Sequence, residues 1–184
     1  MSNFQVRKAA QIAAFFAHRQ GGPISHLKLV KLVYLANRRS MEKFDFPMFN
    51  DTMVSMDNGP VNSAFLNYIN GDAIADYDDW EEFITARANH AVGLKKKIKT
   101  AELDELSDAE IAILEELWAK FRHHSQWDMV KYTHRYCAEW EPPHGTSVEI
   151  PYERVFRTLK KKHSDELALA VKRRRQIDAR LSGR

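Results

Sequence analysis

Cysteine is the scarcest residue of the chain: Cys137 stands alone among 184 residues, so no disulfide can form within the chain. Glycine and proline are few, seven and six, which excludes collagen-like and low-complexity architectures. No apolar run approaches the ~20 residues that span a bilayer, so no membrane partner is expected. No period of 20–50 residues repeats. Phosphate-cradling signals are missing too. Gly21-Gly22-Pro23 lacks the Lys and Ser/Thr of a P-loop, and nothing resembles a dinucleotide fingerprint. No cofactor is therefore expected. The run Met1-Ser2-Asn3-Phe4-Gln5-Val6-Arg7-Lys8 carries charge where the apolar stretch of a signal peptide would begin, which makes a reduced cytoplasm the expected compartment.

Catalytic chemistry is equally thin. The acidic pairs Glu81/Glu82 and Glu115/Glu116 are adjacent, so their side chains would point apart rather than flank one bond. Cys137 follows His134 by three residues, one helical turn, but no glycine-rich elbow supplies an oxyanion site. A buried small hydrophobe beside a hydrogen-bonded histidine is the favoured reading. His123, His124, His134, Cys137 and His144 lack the paired spacing of a structural zinc site. The acidic run 72–82 holds six carboxylates but no central glycine of a calcium loop. The expectation is a protein that is not an enzyme.

What is present is helical periodicity. Ala9, Ile12, Ala13 and Phe16 share one face of a helix expected over Asn3–Arg19, stopped by Gly21-Gly22-Pro23. Ser25 is placed to cap a second helix with Leu29, Leu32, Val33 and Ala36 inward and Lys28, Lys31 and Arg38 on other faces. Thr52, Val54 and Met56 alternate as in a strand; Asn58-Gly59-Pro60 turns the chain, with Pro60 placed to open a third helix carrying Val61, Phe65 and Ile69. Alternation over 84–94 suggests a strand or tight hairpin near Asn89, joining the 52–56 segment in one small sheet. Ser107-Asp108-Ala109-Glu110 is a capping box, with Leu106 and Ile111 as its hydrophobic staple. Further helices are expected from Ser125 through Tyr136, from Pro151, and from Ser164 to Leu181, the last with Leu167, Val171, Ile177 and Leu181 on one side. The fold class expected is mainly α (α+β): a single helical globular domain with a small antiparallel sheet.

The net charge of +3 is unevenly spread. Residues 157–184 hold ten Lys/Arg against three Asp/Glu, a net of +7, and residues 1–156 carry a net of −4. Lys172, Arg173, Arg174 and Arg175 form the densest cationic cluster, a candidate for an acidic protein partner or, alternatively, for the phosphates of a nucleic acid. Lys95-Lys96-Lys97 and Lys160-Lys161-Lys162 are smaller clusters. Solvated faces explain such runs as readily, and no helix-turn-helix accompanies them, so nucleic acid is the lesser partner.

Two stretches, read in order, resemble a family. The first is Leu27-Lys28-Leu29-Val30-Lys31-Leu32-Val33-Tyr34-Leu35-Ala36, then Phe49-Asn50-Asp51, then Asn58-Gly59-Pro60-Val61. The second runs from the capping box to Tyr132-Thr133-His134, then Glu139-Trp140, and closes with Ile150-Pro151. This order is similar to the Panacea-domain (SocA-like) antitoxin family, over roughly residues 5–160. The resemblance implies a bacterial toxin–antitoxin system, a cognate protein toxin bound directly, and in one type of member an adaptor that presents the toxin to the ClpXP protease. The organisation expected is a domain over 1–160 and a basic C-terminal helical segment over 161–184. Within the motifs, Gly59, Pro60 and Tyr34 read as turn and core residues. Trp140, an aromatic in a loop, is the interface candidate, with His134 beside it.

Overall fold

The computed structural model describes residues 4–73 and 76–182. Asn3, the expected start of the first helix, and residues 74–75 of the acidic run lie outside them. Helix α1 (Val6–Gln20) ends where Gly21 adopts φ +74°, a conformation an L side chain resists. Its alanines Ala9, Ala10, Ala13, Ala14 and Ala17 are all buried, which lets it lie close against its neighbours.

Helix α2 (His26–Phe44) starts at Ser25, whose hydroxyl accepts from Lys28 N, and runs through the middle of the molecule. It touches α1, α3 (Ser63–Asn70), α5 (Asp108–Phe121), α6 (Gln126–Tyr136), α7 (Tyr152–Thr158) and two strands. A helix surrounded in this way has no solvent face for its first two lysines. Lys28 and Lys31 are buried, not outward as the wheel suggests. Each ammonium is answered by a carbonyl: Lys28 Nζ donates to Arg122 O and Lys31 Nζ to Pro60 O, both at 2.9 Å.

The expected single sheet is two. Strand β1 (Ile24–Ser25) pairs antiparallel with β4 (Ala91–Val92), Ile24 opposite Val92. A three-stranded antiparallel sheet in the order β3-β2-β5 is built from β2 (Met53–Met56), β3 (Gly59–Asn62) and β5 (Val148–Glu149). The 84–94 segment does form a tight hairpin, with Asn89 and His90 at positive φ, but it pairs with β1 and not with 52–56.

Pro60 does not open a helix either. It stands in β3 opposite Ser55, and β3 is an edge strand, where the missing N–H costs no ladder bond. Helix α3 begins at Ser63 because a remote group caps it: the buried Asp51 carboxylate accepts from Ala64 N and Phe65 N, each at 2.9 Å. A short helix α4 (Tyr77–Glu81) brings Trp80 into the core.

Helix α5 carries the expected capping box, Ser107 Oγ accepting from Glu110 N and Glu110 Oε2 from Ser107 N. Ser125 and Asp128 repeat the device on α6. Helix α8 (Ser164–Ser182) packs along α7 and buries Ala168 and Val171. Ile177 and Leu181 are exposed instead of joining that face, since Ile177 lies about 120° round the helix from Val171. No helix among the described residues is long and apolar enough to cross a membrane.

Candidate functional site

Lys31, Tyr34 and Arg38 recur on α2 at a spacing that sets them along one stripe. Lys31 holds the β2–β3 hairpin through Pro60 O. Tyr34 and Arg38 both reach Glu139, a fully buried residue in the turn after α6. Tyr34 Oη and Arg38 Nε donate to Glu139 Oε1 at 2.7 Å, while Thr158 Oγ1 of α7 donates to Oε2 at 2.9 Å. A buried carboxylate is tolerated when its lone pairs are answered in this way. Burial works against the charge of Arg38, but the hydrogen bond and charge of Glu139 outweigh it and raise its pKa above the ordinary value. Burial, then Glu139, pushes the Tyr34 phenol well up, so it stays a donor.

The hairpin is clamped from its other side. Trp140 Nε1 donates to Met56 O at 2.9 Å, and Glu141 N to Ser55 Oγ at 3.2 Å. The rings of His134 and Trp140 stack, 4.0 Å between centroids and 17° between planes. Burial and the charge of Lys31 lower the His134 pKa, against a hydrogen bond to the Asp57 backbone. At Gly59, φ is +98° and a Cβ would stand 2.7 Å from Thr133 Oγ1, so only glycine lets the turn approach α6 this closely. Both the Gly-Pro turn and the Thr-His, Glu-Trp run therefore meet α2 in one joint.

Cys137 caps α6 and is buried, and that burial pushes its thiol up to about 12. At neutral pH it is a protonated core residue with no thiolate to attack with. Among the described residues no three His, Cys, Asp or Glu side chains gather as a metal group.

The four C-terminal cations are spread round α8. Lys172 pairs with Glu153. Arg174 lies over the Phe46 ring at 5.5 Å and Arg175 over Tyr152 at 5.8 Å. Arg173 is exposed. The structure brings Trp140 and His134 together, and it places the C-terminal cluster against α7 and the Phe46 loop.

Two surfaces went unread in the sequence. A groove of about 1040 Å³ lies between the end of α1 and the 84–94 hairpin, lined by Ala17, Gly22, Val92, Leu94 and Ile98 among others. On α6, Trp127 and Tyr136 are each 54% exposed. The signal for Trp127 was available: Met129, Val130 and Thr133 mark the buried side, so Trp127, Lys131 and Arg135 at four-residue steps fall on the outer one.

The ordered motifs that meet at this joint fall within the span matched by a family of antitoxins. The chain belongs to the SocA-like antitoxin family, Panacea domain, whose family model matches residues 29–141. That span opens in α2 and closes just past Trp140, so the contacts among Lys31, Pro60, Glu139 and Trp140 all lie within it. No curated protein and no solved structure matches the chain.

Proposed function

We propose that the protein is the antitoxin of a toxin–antitoxin pair and neutralises a cognate protein toxin by binding it directly in the cytoplasm. Membership of the family over residues 29–141 carries this reading. The chemistry of the joint agrees with it. The family motifs are tied to one another inside the molecule, which leaves the outer surface free to differ between members that meet different toxins. The half-buried Trp140–His134 pair is the part of the joint nearest the surface and is assigned to the toxin contact, with the cations Lys172–Arg175 as a second contact. Delivery of the toxin to the ClpXP protease is the adaptor form of the same role. The nucleic-acid alternative has less support, because no helix-turn-helix accompanies the basic clusters.

Co-expression with the product of the adjoining open reading frame tests the reading. That product is expected to stop growth alone and to permit it when this protein is present. Growth arrest in both cultures, or in neither, overturns the reading. An adaptor shortens the toxin's half-life only when ClpXP is active, whereas a simple blocker leaves it unchanged.

A further inference from the structure

Helix α8 is fixed to the body by one side only, where Ala168 and Val171 are buried. Arg173 points the other way, about 160° round the helix from Val171. Leu169, Ile177 and Arg180 all lie within about 40° of Arg173, so the four share one outward stripe. Leu169 is 46% and Ile177 55% exposed; with Leu181 they give α8 more solvent-facing large apolar side chains than any other helix among the described residues. The helix's own acids are all engaged: Asp165 with Arg157 at 3.3 Å, Glu166 with His163 Nδ1 at 3.5 Å, and Asp178 with Asn50 Nδ2 at 3.3 Å. Glu166 is the acid that stands at the start of the stripe. Arg173 and Arg180 make no ion pair among the described residues. Cations without an ion pair occur elsewhere too, Lys95 and Lys97 among them. Only on this stripe do they alternate with exposed aliphatic side chains among the described residues.

Three occupants fit this pattern poorly. A bilayer takes an unbroken apolar face, and Arg173 interrupts this one between Leu169 and Ile177. Nucleic acid is gripped by rows of cations and by rings that stack on bases, and the stripe holds two aliphatics and no ring. A second copy laid on the same stripe would set arginines beside arginines. Resting on the antitoxin reading, we propose that the outward stripe of α8, formed by Leu169, Arg173, Ile177 and Arg180, is the second contact with the toxin and takes an acidic groove on it. That groove offers two apolar hollows about 12 Å apart, for Leu169 and Ile177. Its carboxylates meet Arg173 and Arg180, whose planar guanidinium groups match them in two-point hydrogen bonds. Within the cluster Lys172–Arg175, Arg173 makes this contact, while Lys172, Arg174 and Arg175 keep theirs with Glu153, Phe46 and Tyr152.

The test uses the full chain and the purified product of the adjoining open reading frame, with affinity measured by calorimetry at about 0.15 M salt, where distant charges are screened. Arg173→Glu with Arg180→Glu, and separately Leu169→Ala with Ile177→Ala, are each expected to weaken binding by at least about tenfold. Lys95→Glu with Lys97→Glu, an equal change of charge off the stripe, is expected to leave the affinity within about twofold. All three pairs are surface changes, and circular dichroism and the thermal midpoint are expected to match the parent protein. Parent binding with unchanged affinity in either stripe variant overturns this inference and leaves the antitoxin reading standing. An equal loss in Lys95→Glu/Lys97→Glu also overturns it, since net charge and not the stripe would then set the affinity. No binding by the parent overturns both. A short DNA duplex bound by the parent and released by Arg173→Glu/Arg180→Glu, with toxin affinity unchanged, overturns the protein-docking assignment in favour of nucleic acid.

Discussion

Lys31 has no exposed surface and a single carbonyl partner, so its charge is poorly compensated, and burial lowers its pKa to about 7. In the unfolded chain the same group titrates near 10.5. Between those values the folded protein binds fewer protons than the unfolded chain, so this residue makes stability climb with pH. From pH 7 to 9 its share of the rise is about 2 kcal/mol. Urea unfolding of Lys31→Met should lack that share, so the stability of the parent relative to the variant should rise by about 2 kcal/mol from pH 7 to pH 9. A constant difference would mean that Lys31 does not titrate in this window. Gly59 makes the steric counterpart of this argument. Gly59→Ala should cost about 2–4 kcal/mol, combining left-handed strain with a clash against Thr133. Gly21→Ala, also at positive φ but with open space around the added methyl, should cost about 1 kcal/mol. Equal losses in denaturant unfolding would remove the close approach as the reason for Gly59.

Elements meet through Glu139, which ties α2 to the turn after α6 and to α7. Glu139→Gln keeps the shape but strips Arg38 of its counter-charge, and an expected loss of about 3 kcal/mol should appear in thermal or denaturant unfolding. Adding Arg38→Met should recover part of it; no recovery would mean that the pair is not coupled. Element existence was largely legible, because caps and apolar spacing are local: Ser25, Ser107 and Ser125 begin helices where they should. Pairing was not. Alternation over 84–94 marks extended chain but does not choose between β1 and β2, and Pro60 suits a helix start and an edge strand equally well. The joint was half legible. Its residues stood out as motifs, but Tyr34 and Glu139 are 105 residues apart, and nothing local shows that they touch. Lys31 was misread because amphipathic reasoning assumes one solvent face, and α2 has almost none.

For the whole molecule, the uneven charge takes on a spatial meaning. Of the net +7 of residues 157–184, residues 157–163 carry +4 and α8 only +2, and part of the charge on α8 is answered by Glu153, Phe46 and Tyr152. Even after internal pairing this stretch keeps cations with no ion pair among the described residues, Lys160, Lys162, Arg173 and Arg180 among them, so the charge counted along the sequence still points to the C-terminal segment. The molecule is a helical body held by internal polar joints. The most direct measurement of its central role is association in solution of the purified full chain with the product of the adjoining open reading frame, followed by calorimetry and size-exclusion chromatography. The account predicts a stable complex that co-elutes and a dissociation constant at or below about 1 μM, near −8 kcal/mol. Two separate peaks and no heat of binding, with the partner still toxic in cells that contain this protein, would contradict it.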